Sequence, residues 1–435
     1  MKAIDMNMTV NTVLVDGQFD PSFGEAGTVR LDKVDPNGVL LNPETCITDP
    51  MGRIYIAGSL GDGPNYNNYF CLRLTSEGIV DTAFGIAGYA SGSFYNGGNH
   101  DKNLAATKID ILADGKILLT AALYNPPTLR GLVRLNLDGS LDLGFGEEGK
   151  VVIDFTDNDS TNAPSPRSSQ DQQHSGTLAL PDGKIMLWKD IWSREEIYTV
   201  VARLHENGAI DTGFNRTGFV KIPGIAGFKE TYVQSILLEN DGTYTVSGFC
   251  HTVHDQMVSM VTRLLPDGKT DLSFADNGYL IISSQDYRLS TAGAIRQTNN
   301  RLLAFGGATQ HPESSGLLIS REVDGSENIQ FNRGLPLITH LADRRLAWRG
   351  ALIQSDGKIL VHGYSVAEHH VTTTVVARFT DAGELDPDFG AGTGGLMFEL
   401  RSSSLAWLKD NKVLILGFEP DGIVIRHFIA RGLLG

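Results

Sequence analysis

Four histidines carry the most direct chemical potential in this chain. His251 and His254 stand three apart in CHTVH, and His369 and His370 are adjacent. A neutral imidazole is a ready ligand for a divalent cation. A cation held by three or four of them would lower the pKa of a bound water and supply hydrolytic or eliminating chemistry. His251, His254, His369 and His370 are therefore the candidate metal ligands. A divalent metal is the one cofactor they would imply, and otherwise none is expected. Solvated or capping histidines satisfy the same spacing, because a loop does not force the rings to a common point as a helix bearing H-E-x-x-H does. The three cysteines, Cys46, Cys71 and Cys250, are too scattered for a thiolate cage or a disulfide framework. Gly390, Gly392 and Gly395 spell G-x-G-x-x-G, but the strand-like LMFEL follows where a phosphate-binding helix would have to start.

Other residues offer binding. Trp188 and Trp192 could stack on a sugar or a peptide, or simply pack; Tyr66 and Tyr95 fall in polar, variable stretches. Glu44, Gln234 and Arg349 each lie eight residues before the second residue of a tight turn. That common spacing should bring them to one rim. The charge balance narrows the partners. Thirty-six basic against 51 acidic residues leaves −15, which disfavours nucleic acid and anionic membranes. No run of 18 apolar residues is present to insert in a bilayer. The start MKAIDMNMTVNTV lacks the basic, then apolar, pattern of a secretory signal. A cytoplasmic location is the expectation, with leaderless export left open.

These residues must be positioned by a repeat. D-x-x-F recurs at Asp20/Phe23, Asp81/Phe84, Asp142/Phe145, Asp211/Phe214, Asp271/Phe274 and Asp386/Phe389, with Asn328/Phe331 as a variant. The steps are 61, 61, 69, 60, 57 and 58 residues. An arginine precedes the aspartate by eight residues at Arg73, Arg134, Arg203, Arg263 and Arg378. Tight turns such as Asp114-Gly115 and Asp356-Gly357 interleave with this signal and lead into apolar strands such as KILLTAAL. Residues 105–155 show one unit whole: strand, Asp-Gly hairpin, strand, loop, strand, D-x-x-F turn, strand. The 69-residue step comes from a polar insert, 156–176.

The expected fold is all-β: a seven-bladed β-propeller of four-stranded antiparallel blades, one domain over 1–435. Residues 12–31 carry the end of a unit without its first hairpin, and SLAWLKDNKVLILGF (404–418) carries a hairpin without its end. Pairing the N- and C-terminal strands in one blade would thus close the ring. Both GIVIRHFIARG (422–432) and TVNTVLV (9–15) could supply its third strand.

The D-x-x-F-G-x-x-G turn, the preceding R-L-x-x-D-G (Arg134 to Gly139) and the D-G-K-I-L hairpin resemble the bacterial delta-60 repeat family, whose repeats are read as propeller blades. The resemblance spans essentially the whole chain. It departs at Asn328, at Gly334 (one place early) and around Gly390–Gly395. It implies a propeller and little about activity.

Because strands alternate in direction, the Asp-Gly and D-x-x-F turns share one face, and the variable connections share the other. Uniform turns read as scaffold and variable loops as the functional surface. The expected function is a non-enzymatic binding or interaction module presenting that variable face to a protein, peptide or glycan. The alternative is a metal-dependent hydrolase or lyase with its site at the mouth of the central channel.

Overall fold

The structure is a computed structural model that describes residues 9–12, 14–31, 41–60, 68–94, 104–123, 129–155, 175–192, 196–222, 227–341, 344–367, 372–421 and 424–434. It is all-β: the helical elements described whole are two single 3₁₀ turns, Asn332–Gly334 and Gly390–Gly392.

The chain opens with four short strands, β1 (Thr9–Thr12), β2 (Val15–Asp16), β3 (Gln18–Phe19) and β4 (Thr28–Arg30). Antiparallel sets of four follow. The first is β5 (Leu41–Thr48), β6 (Ile54–Leu60), β7 (Asn68–Leu74) and β8 (Tyr89–Ser93). Next come β9 (Leu104–Ile111), β10 (Ile117–Leu123), β11 (Leu129–Leu135) and β12 (Lys150–Asp154). Then β13 (Ser175–Ala179), β14 (Ile185–Trp192), β15 (Ile197–Leu204) and β16 (Phe219–Ile222) pair, as do β17 (Phe228–Leu238), β18 (Tyr244–Thr252), β19 (Met257–Leu264) and β20 (Tyr279–Ile282). β21 (Arg288–Arg296), β22 (Leu302–Gln310), β23 (Glu313–Arg321) and β24 (Leu337–Leu341) repeat the pattern. So do β25 (Arg344–Ile353), β26 (Ile359–Ala367), β27 (Thr372–Phe379) and β28 (Gly395–Phe398). The last strands are β29 (Arg401–Leu408), β30 (Lys412–Asp421) and β31 (Val424–Leu433).

β31 pairs with β30 on one side and with β3 and β4 on the other. The C-terminal segment is therefore the third strand left open by the sequence. The N-terminal alternative goes elsewhere: β1 lies parallel along the outer edge of β24, and β2 along that of β28.

Second strands such as β6 and β14 are buried on both faces because a sheet packs against each side. Each apolar core lies in the seam between consecutive sets. Leu118, Leu132 and Phe145 meet Ile185, Leu187 and Ala202, and Trp188, Val201 and Phe214 meet Val233, Val246 and Met260. Leu414, Leu416 and Ile429 from the C-terminus, with Phe23 and Leu31, meet Ile54, Ile56 and Phe70. First strands abut in turn: β29 on β5, β5 on β9, β9 on β13, β13 on β17, β17 on β21 and β21 on β25.

The D-x-x-F turns are cross-linked alike. One aspartate oxygen accepts the N–H two residues on, as Asp142 does from Gly144 at 3.1 Å. The other accepts from the arginine: Arg73–Asp81 2.8 Å, Arg134–Asp142 2.6 Å, Arg203–Asp211 2.8 Å and Arg378–Asp386 2.6 Å. Each guanidinium also lies over the buried phenylalanine, 4.5 Å from the Phe145 centroid in one case. Several then donate to a carbonyl of the following set, as Arg73 does to Leu137 and Arg203 to Pro266, whereas Arg378 donates to the Asp388 carbonyl of its own turn. Gly149, with φ 87°, closes such a turn where a side chain would be strained. Asn328 cannot form the ion pair; its amide donates to Ser320 instead, and Arg321 turns to the carbonyls of Ser320 and Gly334.

Candidate functional site

Glu44, Gln234 and Arg349 occupy the same structural position. Each is the residue that the register skips in a first strand: between Pro43 and Thr45, between Val233 and Ser235, and between Trp348 and Gly350. Thr107, Ala292 and Ser403 are skipped in the same way. Such bulges re-aim a side chain away from the pleat. The sequence signal for them is the glycine opposite. A Cβ on Gly58, Gly248 or Gly363 would come within about 2 Å of a first-strand carbonyl.

The bulged groups differ in chemistry. Glu44 is exposed, yet desolvation by the surrounding protein raises its pKa above the ordinary value. A carboxyl that water reaches through a narrow, protein-walled space has both properties. Arg349 is exposed, donates to the Tyr364 hydroxyl, and stacks 4.8 Å from that ring's centroid. Gln234 is half-buried.

A second constellation surrounds His251, and its partner was not foreseen. Glu230 on β17 is its cross-strand neighbour. His251 Nδ1 lies 2.7 Å from Glu230 Oε2, and Tyr232 Oη donates to the same oxygen at 3.1 Å. Tyr232 and Phe249 flank the imidazole, with centroids at 5.8 and 5.9 Å. Desolvation pulls the His251 pKa below its usual value, and Glu230 only partly opposes this. The ring is thus neutral near pH 7, with Nδ1–H donated to the carboxylate. Nε2 is buried and has no hydrogen-bond partner among the described residues. This carboxylate–imidazole pair could accept a proton or ligate a metal.

His254 sits in an exposed turn, where its backbone N–H donates to Thr252 Oγ1 at 3.3 Å. No three His, Cys, Asp or Glu side chains among the described residues are placed to hold a metal. His369 and His370 lie outside the described residues, as do Tyr66 and Tyr95. Trp188 is buried in the seam core, 5% exposed, with its ring so close to Gly176 that a Cβ there would lie 2.1 Å away. It packs and offers no open stacking face. Trp192, at the end of β14, is half-buried. Tyr69 and Phe94, from the variable stretches, pack edge-to-face at 5.3 Å in the core.

A family described as "Domain of unknown function (DUF5122) beta-propeller" matches residues 112–145 and 354–389, two stretches running from an Asp-Gly hairpin to the D-x-x-F turn. With the all-β architecture, this supports a β-propeller fold. No curated protein matches the sequence. Among solved structures, polysaccharide lyase Uly1 is similar at TM-score 0.50 and 10% identity, over 98% of this chain and 97% of that one. Virginiamycin B lyase from Staphylococcus aureus aligns at TM-score 0.46 and 10% identity, over 94% and 98% of the two chains. A protein of unknown function from Dyadobacter fermentans aligns at 0.43 and 10%, over 97% and 98%. At these identities the likeness concerns the fold alone. No helix among the described residues is long and apolar enough to cross a membrane.

Proposed function

We propose that residues 1–435 form one seven-bladed ring of delta-60 repeats, closed in a blade built from both termini, that acts as a non-enzymatic binding module. The β31–β4 pairing and the seam core joining the C-terminal strands to β5–β8 support the closure. The ligand, a protein, a peptide or a glycan, sits at the channel mouth on the variable face. The observation that carries this reading is the contrast between the two sets of repeated positions. The turn aspartates are saturated by the same internal bonds in set after set, whereas the bulge position holds a different group nearly every time: Glu44, Thr107, Gln234, Ala292, Arg349, Ser403. A scaffold position has no reason to vary in this way; a ring of distinct groups around one space, all but Ala292 able to hydrogen-bond through their side chains, reads a polar ligand.

The test is a glycan and peptide array probed with the full chain, followed by titration of any ligand found. Glu44→Gln and Arg349→Met should each weaken binding at least about tenfold, ~1.4 kcal/mol, with thermal unfolding unchanged. A ligand bound equally well by both variants would place recognition elsewhere.

The unpartnered Nε2 of His251 favours a second reading, a metal-dependent hydrolase or lyase at the same mouth. It requires stoichiometric metal in the purified protein and loss of turnover on chelation. His251→Ala should then abolish metal content.

A further inference from the structure

The turn side of two neighbouring sets, β5–β8 and β9–β12, carries apolar side chains that neither the turns nor the core require. Ile86 is 85% exposed, Leu143 71%, Ile79 66% and Leu137 47%. Single exposed hydrophobic residues are ordinary, but these four fall in adjoining turns. Gly85 N–H donates to the Asp138 carbonyl at 2.6 Å. Ile86, next after the donor, and Leu137, just before the acceptor, therefore meet at the junction of the two sets. Ile79 ends the turn that leads to the first D-x-x-F, its carbonyl accepting from Thr75 N–H at 2.7 Å, and Leu143 lies within the second D-x-x-F. The place of Ile86 is taken in the other repeats by Glu25, Glu147, Arg216, Asp276, Arg333 and Ala391, and that of Ile79 by residues such as Ser140, Lys269 and Glu384. Backbone geometry thus makes no demand for isoleucine at either position. Nor does the core, since the buried plugs of these turns are Phe84 and Phe145. A groove of about 770 Å³ runs beside Ile86, bordered by residues 89–92 of β8 and 138–141, with the half-buried Lys150 also on its wall.

Charge selects what covers this patch. Glu77, Asp138, Glu147 and Glu148 are exposed in the same turns. The basic groups there are engaged internally: Arg73 with Asp81 at 2.8 Å, Arg134 with Asp142 at 2.6 Å and Lys116 with Asp142 at 3.1 Å. A second copy seated through the same face would set the exposed carboxylates against themselves. An anionic lipid surface would be repelled by them. A basic segment with apolar side chains of its own meets both features. We propose that this part of the turn face docks a protein partner through a lysine- or arginine-rich segment whose apolar residues cover Ile86 and Leu143. Apolar contact supplies the affinity, while the carboxylates steer the approach and select the partner. The surface is separate from the bulge positions and does not depend on a ligand there.

The experiment titrates the full chain into short labelled peptides, read by fluorescence anisotropy at low and high salt. One peptide alternates lysine and leucine, one lysine and serine, and one glutamate and leucine. The lysine–leucine peptide should bind at least about tenfold more tightly than either of the others, and more weakly as salt rises. Ile86→Ser combined with Leu143→Ser should lose that tenfold preference with thermal unfolding unchanged, because neither side chain belongs to a core. Leu272→Ser, an equally exposed change in a distant set, should bind as the unaltered chain does. A photoreactive group on the lysine–leucine peptide gives an answer without any variant: it should label residues within 76–88 and 136–148, read by peptide mass spectrometry. Equal binding of all three peptides, binding that salt leaves unchanged, full binding by the double variant, or label elsewhere would each overturn the proposal. So would a dimer of the unaltered chain, seen in sedimentation, that Ile86→Ser dissolves, since the patch would then belong to a second copy.

Discussion

Arg431 shows at the residue scale how much one repeated contact does. Its guanidinium donates to Asp20 at 2.9 Å, covers Phe23 at 4.8 Å and reaches the Ser76 carbonyl at 2.8 Å. Arg134 makes the same three kinds of contact within the chain's middle. Hydrogen bonds from Lys412 and Ser22 hold the Asp20 carboxyl well below the usual carboxylate range, with Arg431 adding to the effect. Arg431→Met leaves this nearly buried carboxylate with fewer donors. It should lower the free energy of unfolding by about 2 kcal/mol, measured by urea denaturation. An unchanged midpoint would mean that the ion pair contributes nothing to holding the termini together. The spacing rule, arginine eight before aspartate, could not reveal this pair, because 411 residues separate its members. The local sequence could have: Ala430-Arg431 echoes Ala202-Arg203 and Ala377-Arg378.

At the scale of elements, the two termini are not equivalent. β31 is an interior strand, flanked by β30 and β4, and Phe428, Ile429 and Ala430 on it are buried. β1 only adds to the outer edge of β24. Deleting residues 424–435 should therefore abolish cooperative thermal unfolding, because two strands lose their ladder at once. Deleting residues 1–13 should leave a sharp transition at a slightly lower Tm. Circular dichroism melts of the two truncations check this, and the reverse order of damage would reassign the third strand. The hairpins and D-x-x-F turns were legible because Asp, Gly and Asn are demanded there by backbone geometry. The bulges were not read, since their signal is a glycine on the neighbouring strand.

For the whole molecule, the seams set the response to acid. Burial pushes the carboxyls of Asp142, Asp271 and Asp386 upward, but lysine, arginine, hydroxyl and N–H donors outweigh it and hold all three low. Their stabilisation is present above the unfolded range near 4 and is lost as pH falls through the lower folded values. His362 behaves differently. Burial pushes its pKa down to about 4, so between about 6.5 and 4 the unfolded chain takes the proton first and stability already declines. Urea midpoints measured from pH 8 to 3 should fall in these two stages, the first shallower in His362→Gln. A midpoint constant from pH 7 to 4 would contradict a His362 held neutral by desolvation. Composition, the D-x-x-F spacing and the interleaved hairpins determined by themselves that this chain is a repeated β-structure, and which side chains are scaffold, because each follows from local backbone demands recurring at a fixed period. Which terminus fills the last sheet, the burial of Trp188 and the Glu230–His251 pair were decided only by the tertiary structure. Each of these depends on which strand faces which across a seam, and a period within one chain carries no information about that.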